Sequence, residues 1–322
     1  MNVDRVIQVE GLTKAYGDLL AVDQISFAVQ EGEIFGFLGP NGAGKTTTIR
    51  MLTGLSQPTA GTARVLGYEV RSEIVQAKKH LGVVPEQSNL YDELTAMGNL
   101  LFMGKLYGVP RVERKRRAEE LLRMFRLEDR ENSPFATLSR GMRRALTIAA
   151  ALVHHPKLLF LDEPTVGLDV AAARSLRALV AGLRDQGVTV FLTTHYLEEA
   201  DLLCDRIAIL VSGKVVRTGT PTEFKGAAEE GSVIEVSFQQ ALPQARERLA
   251  EVLPGAEVVE INAAKLRILG GDPAEVYTAI FRLAQEKDVG IARLNTVQPS
   301  LEDAFIQITG LSPAVMAQEK GK

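Results

Sequence analysis

The sequence predicts an α/β fold built around a phosphate-binding loop, followed by a small α+β domain of ferredoxin-like order. Three observations predict it. Gly39-Pro40-Asn41-Gly42-Ala43-Gly44-Lys45-Thr46 matches the pattern G-x-x-x-x-G-K-S/T. Leu158–Leu161 and Val188–Thr193 are the apolar runs expected of central strands in a parallel sheet. Residues 233–294 read as strand, helix, two strands, helix and strand.

The chain has 322 residues, more than the commonest single-domain size, so one large and one smaller domain are expected. An apolar fraction of 46% and a charged fraction of 24% are ordinary globular values, sufficient for a sizeable core. A net charge of −3 offers no whole-chain argument for nucleic acid. The single cysteine, Cys204, excludes an internal disulfide framework and reads as a small buried residue in a helix. Met1-Asn2-Val3-Asp4-Arg5 lacks the basic and apolar regions of a signal peptide. No run approaches the ~18 apolar residues of a membrane span, so the chain is expected to sit against a membrane at most.

Taken in order, residues 5–30 alternate in the β manner around a turn at Gly17-Asp18 and read as two antiparallel strands. Tyr16, just before the turn, is either a base-stacking aromatic or an ordinary strand-end tyrosine. Glu33–Leu38 reads as the buried strand before the loop, and Thr47–Leu52 as the helix after it, ended by Gly54 and Pro58. Gly61–Val65 and Tyr68–Val70 read as edge strands, and Leu81–Pro85 as a short buried strand with Glu86-Gln87 at its end. Residues 92–155 are mostly helical. Within them Arg114-Lys115-Arg116-Arg117 reads as a solvated helix face or as a basic patch toward lipid headgroups or an acidic partner. Arg206–Val211 and Lys214–Thr218 read as a hairpin. Glycines, Pro221 and an acidic patch over 219–232 mark a boundary. Beyond it the expected elements are strand Val233–Phe238, helix Leu242–Val252, strands Glu257–Ile261 and Leu266–Leu269, helix Pro273–Gln285, strand Val289–Leu294 and a last helix Ser300–Ile308.

The chemistry follows from where these pieces end. A strand, a glycine turn and a helix N-terminus aim N–H groups and a positive dipole end at one point, a place for phosphate. Lys45 can then reach β- and γ-phosphates, and the Thr46 hydroxyl a Mg2+ ion. Asp162 ends an apolar strand and suits the metal directly or through water, while Glu163 beside it can polarise an attacking water. Gln87 and His195, at neighbouring strand ends, can reach the γ-phosphate and that water. Ser139 heads a further helix with Gly141 in its first turn, a second anion-binding end. Two such ends make sense if one closes on the nucleotide of another copy.

These motifs, in this order, resemble the nucleotide-binding domain of ABC transporters over residues 5–220. Walker A is Gly39–Thr46, the Q-loop residue Gln87, the signature Leu138–Met142, Walker B Leu158–Asp162, the D-loop Val166–Asp169 and the switch histidine His195. The resemblance implies a RecA-like core, an antiparallel β subdomain and a helical subdomain over about 90–155. It implies ATP and Mg2+ as cofactors, Glu163 as catalytic glutamate with His195 and Gln87, and Thr46, Gln87 and Asp162 at the metal. Tyr16, the whole loop, Thr47, Ser139, Gly141 and Asp169 are implied at the nucleotide. The usual signature reads L-S-G-G-Q, and here Arg140 and Met142 replace a glycine and the glutamine. Arg140 either adds positive charge near a partner's γ-phosphate or points to solvent. The form Arg140–Arg144, with Gln298–Phe305 near the C-terminus, resembles the ABC-2 type exporter branch.

The domains expected are 1–222 for the cassette, 223–232 for a linker, 233–310 for the accessory domain and 311–322 for a tail. The implied partners are a second copy or a paralogous cassette, and an integral membrane permease docking near Gln87 and Asn89–Leu106. No nucleic acid is expected, and the implied location is peripheral, at the cytoplasmic face of the cell membrane. The alternative is a non-transport ABC ATPase acting on a nucleic-acid or ribosomal partner. The absence of long heptads or a second cassette weighs against it. A third reading, a regulatory nucleotide-binding module without turnover, conflicts with an intact Glu163 and His195.

Overall fold

In the computed structural model, residues 5–229, 233–297 and 299–311 are described. The chain divides into two compact units between Thr218 and Gly219. The first unit runs β1 (Arg5–Tyr16), β2 (Leu19–Gln30), β3 (Ile34–Leu38), α1 (Lys45–Leu52), β4 (Ala60–Val65), β5 (Tyr68–Glu69) and α2 (Ile74–Lys78). It continues with β6 (Leu81–Val84), α3 (Ala96–Leu106), α4 (Arg111–Met124), α5 (Arg140–Ala151), β7 (Leu158–Asp162), α6 (Val170–Arg184), β8 (Thr189–Thr194), α7 (Leu197–Leu203), β9 (Arg206–Val211) and β10 (Lys214–Gly219).

Two sheets form. One is antiparallel in the order β2-β1-β4-β5, the other has the order β10-β9-β3-β8-β7-β6. In the second, β9, β3, β8, β7 and β6 are parallel. Every residue of β3, β7 and β8 is buried, as continuous apolar runs demand of strands covered on both faces. Phe27 of β2 lies 5.7 Å from Phe35 of β3 and 6.0 Å from Phe191 of β8, ring centre to ring centre. These rings fuse the two sheets into one core, each burial contributing about 1.5–3 kcal/mol. The expected helical segment is α3, α4 and α5. Thr95 caps α3 by accepting from the Gly98 N–H, and Ser139 caps α5 by accepting from the Met142 N–H.

Three expectations are corrected. β4 is not an edge, because it lies between β1 and β5. Gly61 permits that close approach: a Cβ there would stand 2.1 Å from the Gly11 carbonyl oxygen. Cys204 is buried but extended, immediately past the end of α7 rather than within it. Most of the expected 223–232 linker is helix, α8 (Pro221–Glu229), and it contacts the last helix of the second unit.

That unit continues with β11 (Val233–Phe238), α9 (Ala245–Val252), β12 (Ala256–Asn262), β13 (Lys265–Gly270), α10 (Pro273–Glu286), β14 (Ile291–Val297) and α11 (Leu301–Thr309). The sheet order is β12-β13-β11-β14, antiparallel throughout. Its core joins Ile234, Val236 and Ile268 of the sheet to Leu249 of α9 and Ile280 of α10. Arg267 pairs with Glu235 at 3.0 Å and with the buried Asp303 at 3.1 Å, tying α11 to the sheet. Asp303 also completes a capping box with Ser300. α9 starts later than expected because Gln244 takes a left-handed backbone (φ 62°). β14 is shifted toward the C-terminus because Asp288 does the same at the end of α10 (φ 50°). Met1–Asp4, Gln298 and the tail over 312–322 lie outside the described residues.

Candidate active site

Register places three strand ends side by side. Leu38 of β3 pairs with Thr194 of β8, and Thr193 of β8 pairs with Asp162 of β7. The carboxyl edge of such a sheet is where ligands bind. The glycine loop leaves β3 here and enters α1 at Lys45. A Cβ on Gly39 would stand 2.1 Å from the Leu210 carbonyl oxygen, and one on Gly44, with φ 110°, 2.5 Å from that of Ala21. No other residue type fits either position. The first N–H groups of α1 have no acceptor within the helix and face outward with the positive end of its dipole.

Lys45 is buried. Its Nζ donates to the carbonyl oxygens of Gly39 (2.6 Å) and Pro40 (3.2 Å) and lies 3.0 Å from Glu163 Oε1. The other carboxylate oxygen of Glu163 lies 3.0 Å from His195 Nδ1. Burial pushes the Glu163 carboxyl up, but the hydrogen bond from His195 and the charge of Lys45 outweigh it, leaving it below its ordinary value. The carboxylate is therefore ionised near neutral pH. Asp162 Oδ1 accepts from Thr193 Oγ1 at 2.6 Å and from Thr46 Oγ1 at 3.3 Å. A hydroxyl and a carboxylate converging at the lip of the loop are hard oxygen donors suited to Mg2+. Glycines that leave room for phosphate, and N–H groups without acceptors, fit a nucleotide.

Glu163 has a further peculiarity, a backbone φ of 47°. A non-glycine residue there is strained and must be held by its surroundings. Its N–H donates to the Thr193 carbonyl oxygen and to Thr193 Oγ1, both at 3.1 Å. Its carbonyl oxygen accepts from Arg144 NH2 at 3.2 Å. Arg144, on α5, is buried and also donates to the carbonyl oxygens of Asp162 (2.6 Å), Pro164 (3.0 Å), Glu86 (3.1 Å) and Pro85. Burial lowers its guanidinium to about 10, still charged at neutral pH. In the sequence Arg144 figures only as the last residue of the form Arg140–Arg144, with no site role assigned to it. The available signal was its place at the head of the otherwise apolar stretch Ala145–Val153, every residue of which is buried.

Of the expected site residues, the structure brings together Gly39–Thr46, Asp162, Glu163 and His195. Gln87 lies exposed in the loop after β6, and no hydrogen bond joins it to this cluster among the described residues. Tyr16 ends β1 half-exposed, with Lys14 Nζ 4.8 Å above its ring. Asp169 caps α6 through the Ala172 N–H at 2.8 Å. Ser139 and Gly141 stand at the exposed start of α5, without a hydrogen bond to Gly39–Thr47 among the described residues. Arg140 does not stand free in solvent: its NH1 donates to the Gly167 carbonyl oxygen at 2.7 Å.

A phosphate cradle with a buried lysine, an ionised glutamate beside it and a hydroxyl–carboxylate pair define a nucleoside triphosphatase of the phosphate-loop class. Comparison with known proteins narrows this. Residues 22–166 match the family model described as ABC transporter. The chain is 38% identical to the linearmycin resistance ATP-binding protein LnrL of Bacillus subtilis (strain 168), covering 95% of this chain and 98% of that one. It is 39% identical to the daunorubicin/doxorubicin resistance ATP-binding protein DrrA of Streptomyces peucetius, with 95% and 93% covered. It is 40% identical to the Nod factor export ATP-binding protein I of Sinorhizobium fredii (strain NBRC 101917 / NGR234), with 95% and 87% covered. Among solved structures it resembles an ATP-binding subunit of an ABC transporter (33% identity, TM-score 0.63, 69% of this chain and 92% of that one). It also resembles a dimeric ATP-binding cassette in a post-hydrolysis state with ADP and Pi (28% identity, TM-score 0.61, 66% and 98%). The chain belongs to the ABC transporter family, as an ATP-hydrolysing subunit.

Proposed function

We propose that this chain powers an exporter of the ABC-2 type, working as a cassette dimer against a separate integral membrane permease. The observation that carries the reading is the pair of helix N-termini within one unit. α1 opens on the loop with Lys45, Glu163 and His195, while α5 opens on Ser139 and Gly141 without a bond to that loop. A second copy supplying Ser139 and Gly141 completes the site, and the first supplies the rest. Drug resistance and Nod factor export in the names of the relatives support export over a nucleic-acid role.

In this reading Lys45, the loop N–H groups, Thr47 and Tyr16 bind and orient ATP. Thr46, Asp162 and Gln87 would hold Mg2+, which supplies charge neutralisation at the β- and γ-phosphates. Glu163 accepts the proton of the attacking water, and His195 orients its carboxylate. A γ-phosphate that attracts Lys45 draws it from Glu163 Oε1 and frees that oxygen for water. Substrate binding and activation of the base are thereby linked.

An apolar groove of about 360 Å3 supports the permease contact. Leu81, Val83, Pro85, Leu90, Met103 and Tyr107 supply apolar lining. A short amphipathic helix fits such a groove. No helix of the described residues is long and apolar enough to cross a membrane.

The test is the concentration dependence of ATP hydrolysis, together with co-purification with a six-span membrane protein. A rate rising with the square of protein concentration, and capture of the permease, are expected. A strictly linear rate, or an active chain that never associates with a membrane protein, removes the reading.

A further inference from the structure

The Arg144 side chain bonds to both loops flanking the reaction centre. Its Nε, NH1 and NH2 together engage five backbone carbonyls. Pro85 and Glu86 lie immediately before Gln87; Asp162, Glu163 and Pro164 carry the base. A planar guanidinium, with donors fixed in a fork, sets the spacing of such groups in a way a flexible ammonium does not. The Glu163 peptide needs this more than any other. Its left-handed backbone is held at the N–H by Thr193 and at the C=O by Arg144 NH2 at 3.2 Å, the shorter of two bonds to that oxygen, the other coming from the Val166 N–H at 3.4 Å. Arg144 also lies on α5, just over one turn from the Ser139 cap, so the helix whose N-terminus would face the partner's nucleotide carries the clamp on this chain's own base.

We propose that Arg144 is a positioning residue for hydrolysis: it holds the Glu163 and Gln87 loops at the spacing the reaction needs and rigidly links them to the start of α5. The proposal rests on the roles assigned above to Glu163 and Gln87. Arg144 touches neither substrate nor metal in this scheme. Its removal is therefore expected to lower kcat while leaving ATP affinity nearly unchanged.

Two substitutions test it in the full chain. Arg144→Lys keeps the charge and part of the donor capacity. Arg144→Met keeps the stem and loses every donor. Steady-state ATPase, binding of a fluorescent ATP analogue and melting temperature are measured for each. A fall in kcat of roughly tenfold for Arg144→Lys and more for Arg144→Met, with KM and affinity within about threefold, is expected. Arg144→Lys is then repeated in a Glu163→Gln background, where slow residual turnover is followed in long single-turnover runs. Because Arg144 acts through Glu163, no further loss beyond about twofold is expected there. The proposal is overturned if Arg144→Lys turns over at the native rate. It is equally overturned if the fold loss is the same in both backgrounds, or if affinity and kcat fall together with melting temperature. Failure of the base assignment has its own signature, native turnover of Glu163→Gln alone.

Discussion

Glu163 concentrates the chemistry in one side chain, shared between Lys45 and His195 at 3.0 Å each. In the proposed role, replacing it with glutamine removes the base, keeps the shape and leaves one oxygen acceptor where the carboxylate has two. Glu163→Gln is expected to reduce kcat at least a hundredfold, to leave ATP binding within a fewfold of native and to accumulate an ATP-bound dimer. Turnover assays and sizing chromatography with ATP check this. Because the Glu163 carboxyl lies below its ordinary value, it contributes no loss of activity between neutrality and mildly acid pH. His154 behaves differently. It stacks on Tyr107 with ring centres 3.7 Å apart, and Nε2 donates to the Leu81 carbonyl oxygen at 2.9 Å. Burial lowers its pKa from 6.5 to about 4, because a proton on the buried Nδ1 would find no acceptor. Below pH 6.5 the unfolded chain takes up a proton that the folded chain refuses until about pH 4, so stability falls as pH drops through that window. The expected loss is about 3 kcal/mol by pH 4, and His154→Phe is expected to flatten this slope in denaturant titrations at pH 7, 5.5 and 4.5.

At the scale of elements, α1 and α5 differ in what fixes their N-termini. α5 has the Ser139 cap. α1 has no side-chain cap, and its entry geometry depends on Gly44, whose φ of 110° no L side chain adopts without strain. Gly44→Ala is expected to displace the loop from Ala21 and weaken ATP binding by tenfold or more, read by titration with a fluorescent analogue. Arg140 is the opposite case. Its exposed bond to Gly167 ties the signature to the D-loop without touching the phosphate loop. Both residues were legible as part of the family pattern. The bond itself was not, since Arg140 and Gly167 are far apart in sequence and meet only when α5 packs beside the β7 loop. The same reason hid the role of Arg144: its carbonyl partners come from two loops far from it and from each other in the sequence.

Among the described residues each unit buries a hydrophobic core of its own. Each should respond separately to a cavity. Ile280→Ala in the second core is expected to destabilise that unit by about 2–5 kcal/mol while ATP affinity stays within twofold of native. Limited proteolysis and nucleotide titration distinguish the two effects. What the sequence by itself determined is whatever short-range chemistry dictates. The glycine loop, the apolar strands ending in Asp162-Glu163 and Thr194-His195, the Ser139 cap and the βαββαβ order all depend on residues close along the chain. Turn geometry, periodicity and capping act over that range. Only the tertiary structure decided that β4 is interior, that the supposed linker is mostly α8, that Lys45 and His195 share Glu163, and that Arg144 clamps two loops. Those facts depend on which strand lies beside which and on which carbonyls lack partners. Local sequence carries no record of either until the sheet order is set.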